Sequence, residues 1–81
     1  MNKARTENLE MGRLARREMA RHKVDCSEVV ISVSHGVIHL HGRVRALRGY
    51  EADLDMSINA LLKGLRGRHG VRDVITEWKL Q

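Results

Sequence analysis

The chain has 81 residues, a length that fits one domain with a single thin core. Its residues are 42% hydrophobic and 31% charged, which is typical of a folded soluble domain and too apolar for a disordered tail. The formal net charge of +5 favours negatively charged partners, such as nucleic acid, anionic lipid or an acidic protein surface.

The first 20 residues are rich in Arg and Glu and lack the apolar run of a signal peptide. No segment approaches the roughly 18 consecutive apolar residues that a membrane-spanning helix needs. The single cysteine, Cys26, excludes an internal disulfide framework and implies no oxidising compartment. The sequence therefore predicts a cytoplasmic protein.

A first helix is predicted from about Thr6 to His22. At about 100° per residue, small and apolar side chains fall on one half of this helix and most of its arginines on the other. The apolar half consists of Ala4, Met11, Leu14, Ala15 and Met19. A polar connector is expected to follow over residues 24–28.

A β-hairpin is predicted over about 29–44. Its two apolar runs are joined by His35-Gly36, a two-residue link of the kind that closes tight hairpins with positive φ angles. Such a turn fixes the register, which places four apolar residues on one face. They are Ile31, Val33, Ile38 and Leu40, with Val33 opposite Ile38 and Ile31 opposite Leu40. The other face then carries Ser32, Ser34, His39 and His41.

A second helix is predicted over about 49–66, because apolar residues recur there with helical spacing. Acidic side chains near its start and basic ones near its end both complement the helix dipole. A last strand is predicted over about 71–80. In it Val74, Thr76, Trp78 and Leu80 alternate with Asp73, Ile75, Glu77 and Lys79.

The predicted order is αββαβ, in one α+β domain over residues 1–81. A hairpin, a crossover helix and a returning strand make a three-stranded mixed sheet with two amphipathic helices on one face. The other face is left open. Its residues Ser32, His39 and His41 form a candidate partner interface.

The hairpin and the last strand resemble those of BON domains. Residues 31–44, ISVSHGVIHLHGRV, follow the family's hydrophobic alternation, polar-Gly turn and Val-x-Leu-x-Gly-x-Val pattern. Residues 70–80, GVRDVITEWKL, are similar to its Gly-Val-x-x-Val segment. The resemblance covers nearly the whole chain, and its matched positions are glycines and aliphatic residues, which report backbone geometry and packing.

The resemblance implies a non-enzymatic module. BON domains are associated in bacteria with envelope maintenance, phospholipid binding or domain–domain assembly, and related αββαβ modules build the rings of secretion systems. BON proteins are typically exported or tethered and often carry two copies of the domain, whereas this sequence has one copy.

Two groups of arginines are candidates for binding anionic surfaces, since a guanidinium binds phosphate in a bidentate way. The first group lies on the exposed face of the predicted first helix and the second follows the hairpin. The candidates are Arg13, Arg16, Arg17, Arg43, Arg45 and Arg48.

His39 and His41 share a strand face, and such a pair can hold a transition metal. The sequence fixes no third ligand beside them, so it predicts neither a metal site nor a cofactor. Residues 64–67, GLRG, match the G-x-x-G loop of RNA-binding KH domains. Leu65 belongs to the apolar stripe of the second helix, however, and too few residues follow for the further helix that the loop needs.

No nucleophile has an adjacent base, and the carboxylates near Cys26 raise the pKa of its thiol, so no enzyme is predicted. The sequence favours a module that acts through protein–protein association, with itself or with another protein. Binding of anionic phospholipid or another phosphate-bearing surface through the arginines is the alternative. RNA binding of the KH type is a second alternative.

Overall fold

The computed structural model describes residues 3–81, with side chains from Arg5 onward. Ala4, which the sequence predicts on the apolar half of the first helix, lies outside the described side chains. The elements are α1 (Lys3–Ala20), β1 (Val24–Asp25), β2 (Val29–Ser34), β3 (Val37–Ala46), a 3₁₀ turn (Glu51–Asp53), α2 (Leu54–Arg66) and β4 (Asp73–Leu80). The domain is therefore α+β.

Strand β3 is the centre of the sheet. On one side β2 pairs with it antiparallel, from Val29 opposite Gly42 to Ser34 opposite Val37. Along its other side β4 runs parallel, over residues 73–80. The short β1 pairs antiparallel with residues 45–46, beyond the part of β3 that contacts β2 and β4. The sheet is thus mixed.

The predicted hairpin turn and register are confirmed. His35 has a φ of 53° and Gly36 a φ of 80°, the pair of positive values that a tight two-residue turn requires. The pairing of Val33 with Ile38, and of Ile31 with Leu40, matches the prediction.

The predicted count of three strands is wrong, because residues 24–28 are not simply a polar connector. Val24 is buried and pairs with Ala46, and Asp25 pairs with Arg45. This pairing is available because β3 continues past Gly42 to Ala46, two residues beyond the predicted end of the hairpin. A two-residue strand leaves too short an alternation to be recognised in the sequence.

The helix boundaries also differ from the prediction. Helix α1 starts at Lys3, before Thr6, and ends at Ala20, so that His22 lies in the bend that follows. The predicted start of the second helix, near Gly49, instead forms a turn that leads into the 3₁₀ segment. The last strand starts at Asp73, two residues later than predicted.

Both helices contribute side chains to one apolar cluster on a single side of the sheet. The cluster contains Ala15 and Met19 of α1, Ile58, Leu61 and Leu65 of α2, and Ile38, Leu40, Val44 and Val74 of the sheet, together with Val24, Cys26 and Val29. It contains no aromatic residue. A core of a dozen small and aliphatic residues is all that a chain of this length provides.

Glu18 is a buried charge that joins α1 to the end of α2. Its side chain is 7% exposed and accepts hydrogen bonds from Arg68 Nη2 at 2.7 Å and, when its ring nitrogen carries the proton, from His22 Nε2 at 2.8 Å. These partners, Arg68 foremost, hold the pKa of the Glu18 carboxyl below its usual value. Gly64 leaves room for this carboxylate, since a Cβ there would lie 2.9 Å from Oε2.

Gly42 marks the point where β3 passes from β2 to β1. Its φ is 90°, and a Cβ at this position would overlap the carbonyl oxygen of Glu28, which accepts a hydrogen bond from the Arg43 N–H at 3.2 Å. Gly49 has a similar φ of 93° but no atom within 4 Å of a Cβ built on it. Both glycines therefore need a positive φ, but only Gly42 also lacks the space for a side chain.

We expect Gly42→Ala to lower the free energy of unfolding by at least about 3 kcal/mol, because it adds overlap with backbone to the cost of a positive φ. Gly49→Ala has only the cost of the positive φ and should lower the free energy of unfolding by about 1 kcal/mol. Urea unfolding followed by circular dichroism measures both. Equal losses in the two variants would contradict the close approach at Gly42.

Candidate functional site

The face of the sheet opposite the helices is open. Its side chains are exposed or half-buried and come from all three long strands. They are Val30, Ser32, Ser34, Val37, His39, His41, Arg43, Asp73, Ile75, Glu77 and Lys79. The predicted interface residues Ser32, His39 and His41 lie together on this face, with Ser32 directly opposite His39.

Three ligand-type side chains converge in the middle of the open face. The rings of His39 and His41 are stacked, with centroids 6.0 Å apart and planes 6° apart. Glu77 Oε1 lies 3.7 Å from His39 Nδ1 and 4.0 Å from His41 Nδ1. The sequence predicts the histidine pair but misses Glu77, because only the parallel register of β4 on β3 brings Glu77 opposite His41.

Strand β4 is poorly covered on both faces. Of its eight residues only Val74 is buried, and Trp78 is half-buried. Thr76 is exposed and Leu80 is 55% exposed. Helix α2 packs over the start of the strand and leaves the rest accessible.

The outer edge of β4 is also unpaired, since β3 is its single neighbour among the strands of residues 3–81. The N–H of Gln81 donates to the carbonyl of Val44 at 3.0 Å, so odd-numbered positions direct their backbone groups to β3. Even-numbered positions then direct theirs outward. In agreement, the outward carbonyl of Val74 accepts a hydrogen bond from Arg66 of α2 at 3.2 Å. Thr76 and Trp78 present their backbone groups to solvent.

The edge formed by β2 is partly protected. Arg16 of α1 donates one hydrogen bond to the carbonyl of Cys26 at 3.0 Å and a second to the carbonyl of Val29 at the start of β2. Its guanidinium thus satisfies backbone acceptors that an unprotected edge would expose. Arg16, predicted as an anion-binding residue, thus donates two hydrogen bonds to backbone carbonyls of its own chain.

The other predicted arginines lie in different places. Arg45 Nε donates to Asp25 at 2.9 Å, and this contact contributes to holding the pKa of Asp25 at about 2, after the hydrogen bonds from Ser27. Arg43 lies on the open face and Arg48 in the turn before the 3₁₀ segment, both exposed. The six arginines therefore do not form one continuous patch.

Arg13 and Arg17 line a groove between α1 and the tip of the hairpin. Three further basic or titratable side chains, His35, His69 and Arg72, line the same groove. Glu7 and Glu10 lie at its α1 side, so the groove combines several cationic groups with two carboxylates. In this groove the predicted Arg13 and Arg17 meet other basic groups.

The G-x-x-G segment is occupied by packing. Leu65 is fully buried and Gly64 lies against the Glu18 carboxylate. A nucleic-acid backbone clamped at this segment would have to displace the core contacts of Leu65. Nothing in this segment adds support for RNA binding.

Comparison with protein-family models finds no match, and comparison with curated proteins finds no significantly similar sequence. Between residues 3 and 81, no helix is both long enough and apolar enough to cross a membrane. The resemblance to BON domains stays a prediction that rests on the residues quoted above.

Cys26 is the one thiol of the chain and it is buried. Burial, with a smaller contribution from Asp25 and against the opposing charge of Arg16, raises the pKa of this thiol from 9.0 to about 11. A thiol with so high a pKa is a poor nucleophile at neutral pH.

We expect Cys26 to react with iodoacetamide at pH 8 about 100-fold more slowly in the folded protein than in urea. The thiolate fraction falls by this factor when the pKa rises from 9.0 to about 11, and burial slows access further. Mass spectrometry of timed samples measures both rates. Equal rates would show an accessible thiolate and would contradict the structural role of Cys26.

Proposed function

We propose that this chain is an assembly module, and that it forms a homodimer by antiparallel pairing of β4 with β4 of a second copy. The observation that carries the proposal is the exposure of β4 along its outer edge and on much of both faces. An unpaired strand edge is a template for pairing with another chain. Such pairing supplies backbone hydrogen bonds for affinity and side-chain contacts for specificity.

Strand β4 lacks most of the features by which proteins protect a free edge. It has eight residues and no proline, whereas protected edges are short or carry proline, bulges or inward charges. Its charged residues Asp73, Glu77 and Lys79 lie on the open face. The helix-side positions Thr76, Trp78 and Leu80 are uncharged and partly or fully exposed.

A pairing centred on Thr76 fits the backbone directions of β4. Around this centre, Val74 lies opposite Trp78 and Asp73 lies opposite Lys79 of the second copy. The outward backbone groups of Thr76 then exchange hydrogen bonds across the dimer axis, and those of Val74, which bond Arg66 and the Asp73 carboxylate in the single chain, turn to Trp78 of the second copy. Seven residues of each strand take part, and both ends of the ladder pair opposite charges.

The resemblance to BON domains also supports an assembly function, since domain–domain assembly is one of the roles that it implies. The chain also has a thin core. An assembly role needs an accessible surface with defined register, and the sheet supplies one. Of the predicted interface residues, His39 and His41 lie on β3, one strand inward from this edge, and Ser32 lies on β2 at the other side of the sheet.

We expect Asp73→Lys to weaken dimerisation about tenfold, because it turns both symmetry-related Asp–Lys pairs into repulsive ones at roughly 0.2–1 kcal/mol per interaction. Lys79→Asp should have a similar effect. The double variant Asp73→Lys/Lys79→Asp restores the pairs and should return the dissociation constant to within about twofold of the original. Sedimentation equilibrium over a range of protein concentrations measures all four proteins.

The double variant is the control for general effects of charge on solubility and folding, since it keeps the original net charge. Unchanged dimerisation in both single variants would contradict this register. A double variant as weak as the single ones would contradict it too.

A second candidate function is binding of an anionic phospholipid surface through the groove of Arg13 and Arg17. The observation that favours it is the presence of Arg72, His35 and His69 in the same groove. Each basic residue near an anionic bilayer contributes about 1 kcal/mol at low salt.

For this alternative, Arg13→Glu/Arg17→Glu should abolish flotation with phosphatidylglycerol vesicles at low salt. The matched control is Arg43→Glu/Arg48→Glu, which changes the net charge equally outside the groove and should keep flotation. Phosphatidylcholine vesicles should bind neither protein. Equal loss in the two double variants would contradict a role for the groove, as would the absence of flotation by the original protein.

A further inference from the structure

The His39, His41 and Glu77 cluster has the composition of a metal site. One ligand atom from each residue can be chosen so that all three atoms lie within 4.8 Å of one another. Tetrahedral zinc with bonds of about 2.0–2.1 Å needs ligand atoms about 3.3 Å apart. The distances from Glu77 Oε1 to the two Nδ1 atoms, 3.7 and 4.0 Å, exceed this spacing by only about 0.4 and 0.7 Å.

We propose that His39, His41 and Glu77 bind a divalent transition-metal cation of the zinc type, one per chain. Two imidazole nitrogens and one carboxylate oxygen form a donor set that zinc takes in proteins, and they leave one coordination position for water. The proposal goes beyond the assembly function, because the site is complete within one chain.

The backbone fixes the three residues before any metal binds. His39 and His41 are two positions apart on β3, the central strand, which is held by β2 on one side and β4 on the other. The pleat of the strand directs both side chains to the open face. Glu77 reaches them from β4 through the parallel register. A preorganised backbone lowers the entropy that metal binding must overcome.

The side chains keep enough freedom to complete the geometry. His39 is 32% exposed, His41 41% and Glu77 58%, so solvent reaches all three side chains. Among the ion pairs of the described residues, Glu77 pairs only with these two histidines. The carboxylate is therefore not held by Lys79 or Arg43, which lie one position further along the open face.

The test is a calorimetric titration of the untagged protein with Zn²⁺ at neutral pH. The expected result is one Zn²⁺ per chain, with affinity at least about tenfold lower in His39→Gln, His41→Gln and Glu77→Gln. The matched control is His69→Gln, which removes an exposed histidine that lines the groove beside α1 and is not part of the cluster, and which should bind like the original protein. Circular dichroism checks that each variant is folded.

Two further readouts report the site directly. Co²⁺ should produce the visible absorption bands of a four-coordinate site, and Glu77→Gln should lose them. Zn²⁺ should raise the unfolding temperature of the original protein, because the metal binds the folded state across β3 and β4, and should not raise that of Glu77→Gln.

Absence of Zn²⁺ binding overturns the proposal, as does binding that survives in the three cluster variants or that is lost in His69→Gln. A stoichiometry of one Zn²⁺ per two chains also overturns it, since the site would then lie between copies. The variant Asp73→Lys, designed to weaken assembly, should still bind one Zn²⁺ per chain. Failure of the metal site and failure of the proposed dimer are therefore distinguishable.

Discussion

The hydrogen-bonded ladders on both sides of β3 are the constraint on which the rest of the structure depends. They hold the strand so that Ile38, Leu40 and Val44 are fully buried beneath the two helices. The same pleat directs the alternate residues His39 and His41 to the opposite face. Core and candidate site are therefore two faces of one strand, and a change of register by one residue would exchange them.

The length of α2 explains why most of β4 is left accessible. Helix α2 has 13 residues, about 20 Å at 1.5 Å per residue, and it also packs against α1 and the 3₁₀ turn. Its Arg66 bonds the carbonyl of Val74 near the start of β4, and Leu80 at the other end of the strand stays 55% exposed. The proposed pairing with a second strand would cover the outward backbone groups of Thr76 and Trp78.

The parts that the sequence predicts best are those set by local chemistry. The His35-Gly36 turn and the alternation around it fix the hairpin, its register and the placement of Ser32, His39 and His41 together. Long-range pairings are different. Glu77 joins the histidines, and Arg16 bonds the carbonyl of Val29, only because elements distant in sequence pack together. The short strand β1 is missed because two residues are too few to show the alternation of apolar and polar side chains that identifies a strand.

Assembly through β4 is tested most directly by the absolute mass of the original protein. Light scattering on a sizing column at low and at high salt measures it. The proposed dimer predicts about twice the 9.3 kDa chain mass at both salt concentrations, because backbone hydrogen bonds and apolar contacts persist when charges are screened. A mass of 9.3 kDa at both salt concentrations, with protein loaded at high concentration, would contradict it.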